Sequence, residues 1–378
     1  MKVIRFQSFL LCLSIGAYAA APLGLPEVSV PKDNPQTKEK IQLGNILFHD
    51  TRFSADGQVS CATCHAQEKA FTDHLEVSKG FTDKKGTRVG TRNAPTVINA
   101  AYYTSQFWDG RVASLEEQSK FPPINPVEGG LHSWNQLVDM LKKDSFYQKE
   151  FKKVFNVSAK NITIEHFAKA IASFERTVIS GNSKFDRYMY GHEENAMNEE
   201  EKRGLEVFLG QGRCVSCHTI SQTHALFTDN KFHNIGVGFK ALNGKSFEVA
   251  SEFSHMLAQD KKKGKSLTAA DDLVLKHKRF SELGRYAITK EGDDMGAFKS
   301  SSLRNIEKTA PYMHDGSMQT LLEVVQWYNF GGRFGMDAPV TPFLDGGIRP
   351  LNLSDRQVND LVAFLKALTS PEFSNVKD

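Results

Sequence analysis

The stretch Cys61-Ala62-Thr63-Cys64-His65 carries two thiols three positions apart, with a histidine directly after the second. Covalent attachment of a c-type haem requires that spacing. Each thiol adds across one vinyl group of the porphyrin, and the histidine falls beneath the iron as its proximal ligand. The pattern recurs at Cys214-Val215-Ser216-Cys217-His218. A bare Cys-x-x-Cys would also suit a zinc knuckle or a redox dithiol, but neither needs the following histidine, and neither needs it twice. The chain therefore reads as a dihaem c-type cytochrome with two covalently bound haem c groups.

The residues leading into each motif form a second repeat. Lys38 to Phe48 places Ile41, Leu43, Ile46 and Leu47 at helical spacing, then runs through Phe53-Ser54-Ala55-Asp56-Gly57 into the first motif. Glu199 to Leu209 does the same before the second, with Asn198 as N-cap and Glu201 three residues on. Helix, short glycine-containing turn and haem motif, taken twice, predict a mostly α chain of two cytochrome-c-like haem domains with little β structure. The expected divisions are an N-terminal haem domain over residues 20–180 and a C-terminal one over 181–378, with a boundary near Ser180 to Lys184 and a final helix free to pack back on the first domain. Further helices are predicted over Trp134 to Lys143, Ile164 to Val178, Leu321 to Tyr328 and Asp355 to Leu368, the last behind a Ser354-x-x-Gln357 capping box. Residues 240–279 are highly charged, contain Lys261-Lys262-Lys263-Gly264-Lys265, and read as a solvated insertion.

At 378 residues, 40% hydrophobic and 24% charged, the composition is that of a soluble protein large enough for two cores. Residues 1–19 stand apart. Lys2 and Arg5 precede the apolar run Phe9 to Gly16, and Ala17-Tyr18-Ala19 offers a cleavage site, so a secretory signal peptide and a periplasmic location are expected. The run is too short to span a bilayer, and no membrane span is expected elsewhere. Cys12 would leave with the peptide, which makes every remaining cysteine a haem thiol. The net charge of +3 falls to about +1 without Lys2 and Arg5, which argues against a nucleic-acid or membrane-surface role.

Between the haem motifs lie Arg92-Asn93-Ala94-Pro95-Thr96, Phe107-Trp108-Asp109-Gly110-Arg111, Glu116-Glu117-Gln118, Phe121-Pro122-Pro123 and Asn125-Pro126-Val127-Glu128. After the second come Leu303-Arg304-Asn305 and Thr309-Ala310-Pro311-Tyr312-Met313-His314-Asp315-Gly316. Together with the haem sites, these motifs resemble the bacterial dihaem cytochrome c peroxidases and their MauG-type relatives, from about Leu43 to Leu368. The resemblance implies that hydrogen peroxide reacts at the N-terminal haem, that the C-terminal haem supplies or stores an electron, and that Trp108 lies between them. It makes Glu128 the distal proton shuttle, with Gln118 and Pro122 at the other distal positions. Taken alone, Trp108 would be a core residue and Glu128 a surface charge. The resemblance also implies one calcium ion between the domains, held by Asn93 and the backbone carbonyls of Thr309 and Pro311.

The sixth ligand of the second iron stays open at this stage. Met295, Met313 and Met318 are available, whereas matching by motif falls on Tyr328, where MauG-type proteins carry a tyrosine. A phenolate there would favour oxidised iron and lower its potential. Peroxidases that must first be reduced carry a distal histidine after the first haem motif, and a histidine there would close that iron. The matching position is Phe81, and His74, the only histidine on the loop, sits seven residues early and is expected to be exposed or capping. The leading expectation is a periplasmic peroxidase that reduces hydrogen peroxide to water with electrons from a small cytochrome c or cupredoxin. The alternative is MauG-like oxidation of residues in a partner protein. A non-catalytic dihaem electron carrier comes third, because Phe81 would leave one iron open.

Overall fold

A computed structural model describes residues 20–259 and 268–376. The expected signal peptide and the Lys261 to Lys265 cluster lie outside the described residues. The apolar spacing before the first motif forms the helix Lys38–His49, capped by Thr37, whose hydroxyl accepts from the Lys40 N–H at 3.2 Å. It packs across the helix Ile164–Glu175, and the crossing is tight at one point. A Cβ on Gly44 would lie 2.0 Å from the Ala170 carbonyl oxygen, so only glycine fits. Phe48 then packs on Phe174 with ring centroids 5.1 Å apart.

The second half repeats this construction. Glu199–Leu209, behind its Asn198–Glu201 capping box, crosses Asp355–Lys366, and a Cβ on Gly204 would lie 1.9 Å from the Asp360 carbonyl oxygen. Phe208 packs on Phe364 at 5.1 Å. The repeat thus reaches past the helix and motif legible in the sequence to the crossing partner, its glycine and its aromatic pair. Each pair anchors a separate hydrophobic core: Leu43, Phe48, Phe167 and Ile171 in the first, Phe185, Phe208, Trp327 and Phe364 in the second. The helix Asp355–Lys366 stays on the second core. It is the short turn Pro371–Phe373 beyond it that returns, placing Phe373 in the first core.

Two of the expected helices end early, at Glu175 and Lys366. Trp134–Lys143 forms as expected, and Ser145–Phe155, not anticipated, follows it behind an Asp144 cap. Among the described residues β structure is confined to two small two-stranded sheets, the hairpin Lys79–Asp83/Gly86–Val89 and the pair Phe232–His233/Phe298–Lys299. No helix among them is long and apolar enough to cross a membrane.

The charged stretch 240–279 is not a solvated excursion. It folds into the helices Ser246–Gln259 and Ala269–Lys276, which bury Val249, Phe253, Leu273 and Val274 with Phe280, Leu283 and Met295 as a third core. High average charge hid an apolar face that recurs at helical spacing.

Candidate functional site

Each haem motif opens onto its own cavity, of about 190 Å³ in the first half and about 230 Å³ in the second. Cys61, Cys64 and His65 line the first with Leu47, Phe53 and Phe167; Cys214, Cys217 and His218 line the second with Phe208, Val325 and Leu361. The donor chemistry fits a haem in both. His65 Nδ1 lies 3.2 Å from the Phe71 carbonyl oxygen and His218 Nδ1 2.8 Å from that of Phe227. An N–H donated there fixes the tautomer and keeps Nε2 free for iron. Burial holds both imidazoles below their ordinary pKa, in the neutral form that ligates.

Gln118, Pro122, Arg111 and Glu128 share the first cavity with His65. Burial pushes the Glu128 carboxyl up to about 7, against the pull of the Arg111 guanidinium. Arg111 is itself held by Asp109 at 3.0 Å, and Arg92 binds the same carboxylate at 2.6 Å. Burial alone would raise Asp109, but the two guanidiniums outweigh it and hold the acid at about 2. The backbone at Glu128 is fixed by the hairpin. The Phe81 N–H donates to the Glu128 carbonyl at 2.8 Å, and a Cβ on Gly80 would lie 2.1 Å from the Val127 carbonyl oxygen.

Phe81 therefore sits in a strand laid against the Glu128 turn, its ring over Gly130, and is not among the residues lining the cavity. His74 does not line it either. Its Nε2 lies 3.1 Å from the Lys308 carbonyl oxygen across the domain seam, and the residue is half-buried rather than exposed.

Asn93, Pro95, Tyr103, Trp108, Lys299 and Ser301 line both cavities and form the partition between them. Trp108 Nε1 donates to the Asn93 carbonyl at 2.9 Å, the Lys299 N–H to the Trp108 carbonyl at 2.8 Å, and the Asn93 N–H to the His314 carbonyl at 2.8 Å. Both halves thus hold the indole in place.

Tyr103, Lys299 and Glu175 escape a reading of the sequence. Lys299 Nζ donates to the Ser105 carbonyl at 2.8 Å and lies 3.8 Å from the centre of the Tyr103 ring, and burial brings its ammonium down to about 7. Glu175 is a second carboxyl on the first cavity, pushed up to about 8 by burial. Its one sequence signal is an acid as the last residue of a helix, the unfavourable end of the dipole.

For the second iron the structure narrows the choice. Tyr328 and Met313 line the second cavity, whereas Met295 lies in the third core and Met318 in the second, and neither lines it. Burial pushes the Tyr328 phenol up. Asn93 sits at the seam, its Nδ2 donating to the Leu75 carbonyl at 2.9 Å. Among the described residues, the His, Cys, Asp and Glu side chains at metal-ligand spacing are Cys217, Asp229 and His233. There Cys217 belongs to the second haem motif, and His233 is already bonded to Asp345 at 2.7 Å and Asp229 at 2.9 Å.

A family profile described as di-haem cytochrome c peroxidase matches residues 38–194. The cytochrome-c peroxidase IdrP1 of Pseudomonas sp. (strain SCT) is 36% identical, over 94% of this chain and 88% of its own. The chain belongs to the di-haem cytochrome c peroxidase/MauG family. The methylamine utilization protein MauG of Methylorubrum extorquens is 36% identical, over 89% of this chain and 80% of its own. A crystal structure of a MauG-like protein associated with microbial copper homeostasis superposes with a TM-score of 0.73 at 31% identity, covering 95% of this chain and 98% of that one. Membership of this family accounts for the two cavities as two haem c sites.

Proposed function

We propose that this protein reduces hydrogen peroxide to water in the periplasm, with electrons from a small cytochrome c or cupredoxin. The observation that carries this reading is Glu128, a buried carboxyl with a pKa of about 7 that lines the same cavity as the first haem motif. The two haems, when bound, supply the iron at which the O–O bond breaks and a store for electrons. Glu128 accepts a proton from one peroxide oxygen and returns it to the other, and a pKa of about 7 suits a group that must do both. Two electrons and two protons then turn one peroxide into two waters. The neutral Gln118 amide holds the peroxide by hydrogen bonding, Arg111 steadies the carboxylate of Glu128, and Trp108 carries electrons across the partition. A calcium ion held by Asn93 and the carbonyls of Thr309 and Pro311 would brace the seam. The test is stopped-flow mixing of the ferric holoprotein with peroxide, wild type beside Glu128→Gln. Equal rates would place the proton shuttle elsewhere.

Tyr328 on the second cavity, together with the similarity to MauG, supports a second reading: oxidation of residues in a partner protein. Assay of small redox donors against candidate protein substrates separates the two.

A further inference from the structure

The charged insertion does more than fold. Its helix Ala269–Lys276 presents two buried apolar residues, Val274 and Leu275, to the cavity that holds His65 and Glu128. The helix is fixed from in front by that cavity's own residues. The Thr91 hydroxyl donates to the Val274 carbonyl at 3.2 Å, and Asp271 lies 3.7 Å from Nε of Arg111, the cation beside Glu128. Just beyond the helix, Arg92 donates to the Ser281 hydroxyl and carbonyl, both at 2.8 Å. From behind it is backed by Phe253, Phe280 and Leu283 of the third core. Val274 and Leu275 offer a ligand no hydrogen bond and no charge. What they control is room.

We infer that Val274 and Leu275 form a selectivity wall that admits hydrogen peroxide to the first cavity and excludes alkyl hydroperoxides, which carry a carbon substituent on one oxygen. The inference rests on peroxide reacting in that cavity. An apolar wall discriminates by size, and a change of even a methylene in such a wall changes selectivity on the order of tenfold or more. A wall anchored at Thr91, Arg92 and Arg111 and backed by a core cannot swing aside as a loose loop would, so truncating it enlarges the cavity instead of letting it collapse.

The experiment uses the ferric holoprotein and two pairs of probes: hydrogen peroxide against tert-butyl hydroperoxide in turnover, and cyanide against imidazole in equilibrium binding read from the haem absorption. In the wild type, hydrogen peroxide and cyanide should be strongly preferred. Val274→Ala and Leu275→Ala should each shift both preferences towards the bulkier probe by about tenfold or more, with cyanide affinity unchanged within about twofold. Leu275→Phe should shift both the opposite way, which covers the case where the smaller side chains do not support folding. A wild type that accepts both hydroperoxides equally, or variants whose imidazole-to-cyanide ratio stays put, overturns the wall. A wild type whose first haem answers neither peroxide nor cyanide overturns the peroxide reading as well.

Discussion

Glu128 changes charge across neutral pH because burial, opposed by Arg111, places its carboxyl at about 7. Below that pH the acid is protonated and cannot take a proton from peroxide, so kcat/KM for peroxide should fall as pH drops through about 7. Glu128→Gln should abolish that limb and lower turnover by roughly 10²–10⁴-fold, with both haems still attached. A wild-type profile flat through neutrality would assign the step to another group, of which Glu175 is the first candidate. Tyr328→Phe removes the phenol from the second cavity and should convert that haem to an open or water-bound spectrum. An unchanged spectrum would assign the ligand to Met313. At this scale the sequence was uneven. The haem residues follow from spacing, because covalent attachment dictates it. The placement of Glu128 on the first cavity and of Trp108 in the partition was legible through resemblance alone. Lys299 and Glu175 were not legible at all, because their chemistry comes from burial among residues distant in the chain.

The helix crossings show how little space the elements leave. Alanine at Gly44 would gain about 1 kcal/mol of helix propensity, yet its Cβ would lie 2.0 Å from backbone, so the two helices must part. Overpacking of this kind typically costs about 1–3 kcal/mol. Gly44→Ala should therefore lower the guanidinium unfolding midpoint, while Gly292→Ala, whose Cβ would meet nothing, should leave it in place. Helices with strong apolar periodicity were readable to within a few residues. In the charged insertion the apolar face is diluted by charge and hidden from periodicity, and the Lys79–Val89 hairpin carries little signal of its own because it is held from outside, by the Phe81 N–H on the Glu128 carbonyl and Gly80 against Val127. That hairpin bears on reactivity. With the Phe81 N–H on the Glu128 carbonyl and its ring on Gly130, oxidised protein should react with stoichiometric peroxide without pre-reduction. Phe81→His should react as readily, because residue 81 lies in the strand and does not line the first cavity unless the hairpin peels away. A low-spin first haem in that variant would show that it does.

Across the whole molecule, one partition lines both cavities. Phenylalanine is harder to oxidise than tryptophan, so Trp108→Phe should leave the first haem's response to peroxide intact while slowing the second's by orders of magnitude. Simultaneous responses in that variant would route the electrons through another partition residue, Tyr103 being the nearest in kind. The partition has a further consequence. Val274, Leu275, Lys299 and Ser301 from the second half close the first cavity, while Asn93, Pro95, Tyr103 and Trp108 from the first close the second. Two haem stations that look like tandem copies are therefore not interchangeable parts. Cutting the chain near residue 180 would bare a haem edge to water in each fragment and, since solvent exposure sets haem potential, would retune both. A transplanted half would carry its haem but not the environment that makes the haem useful.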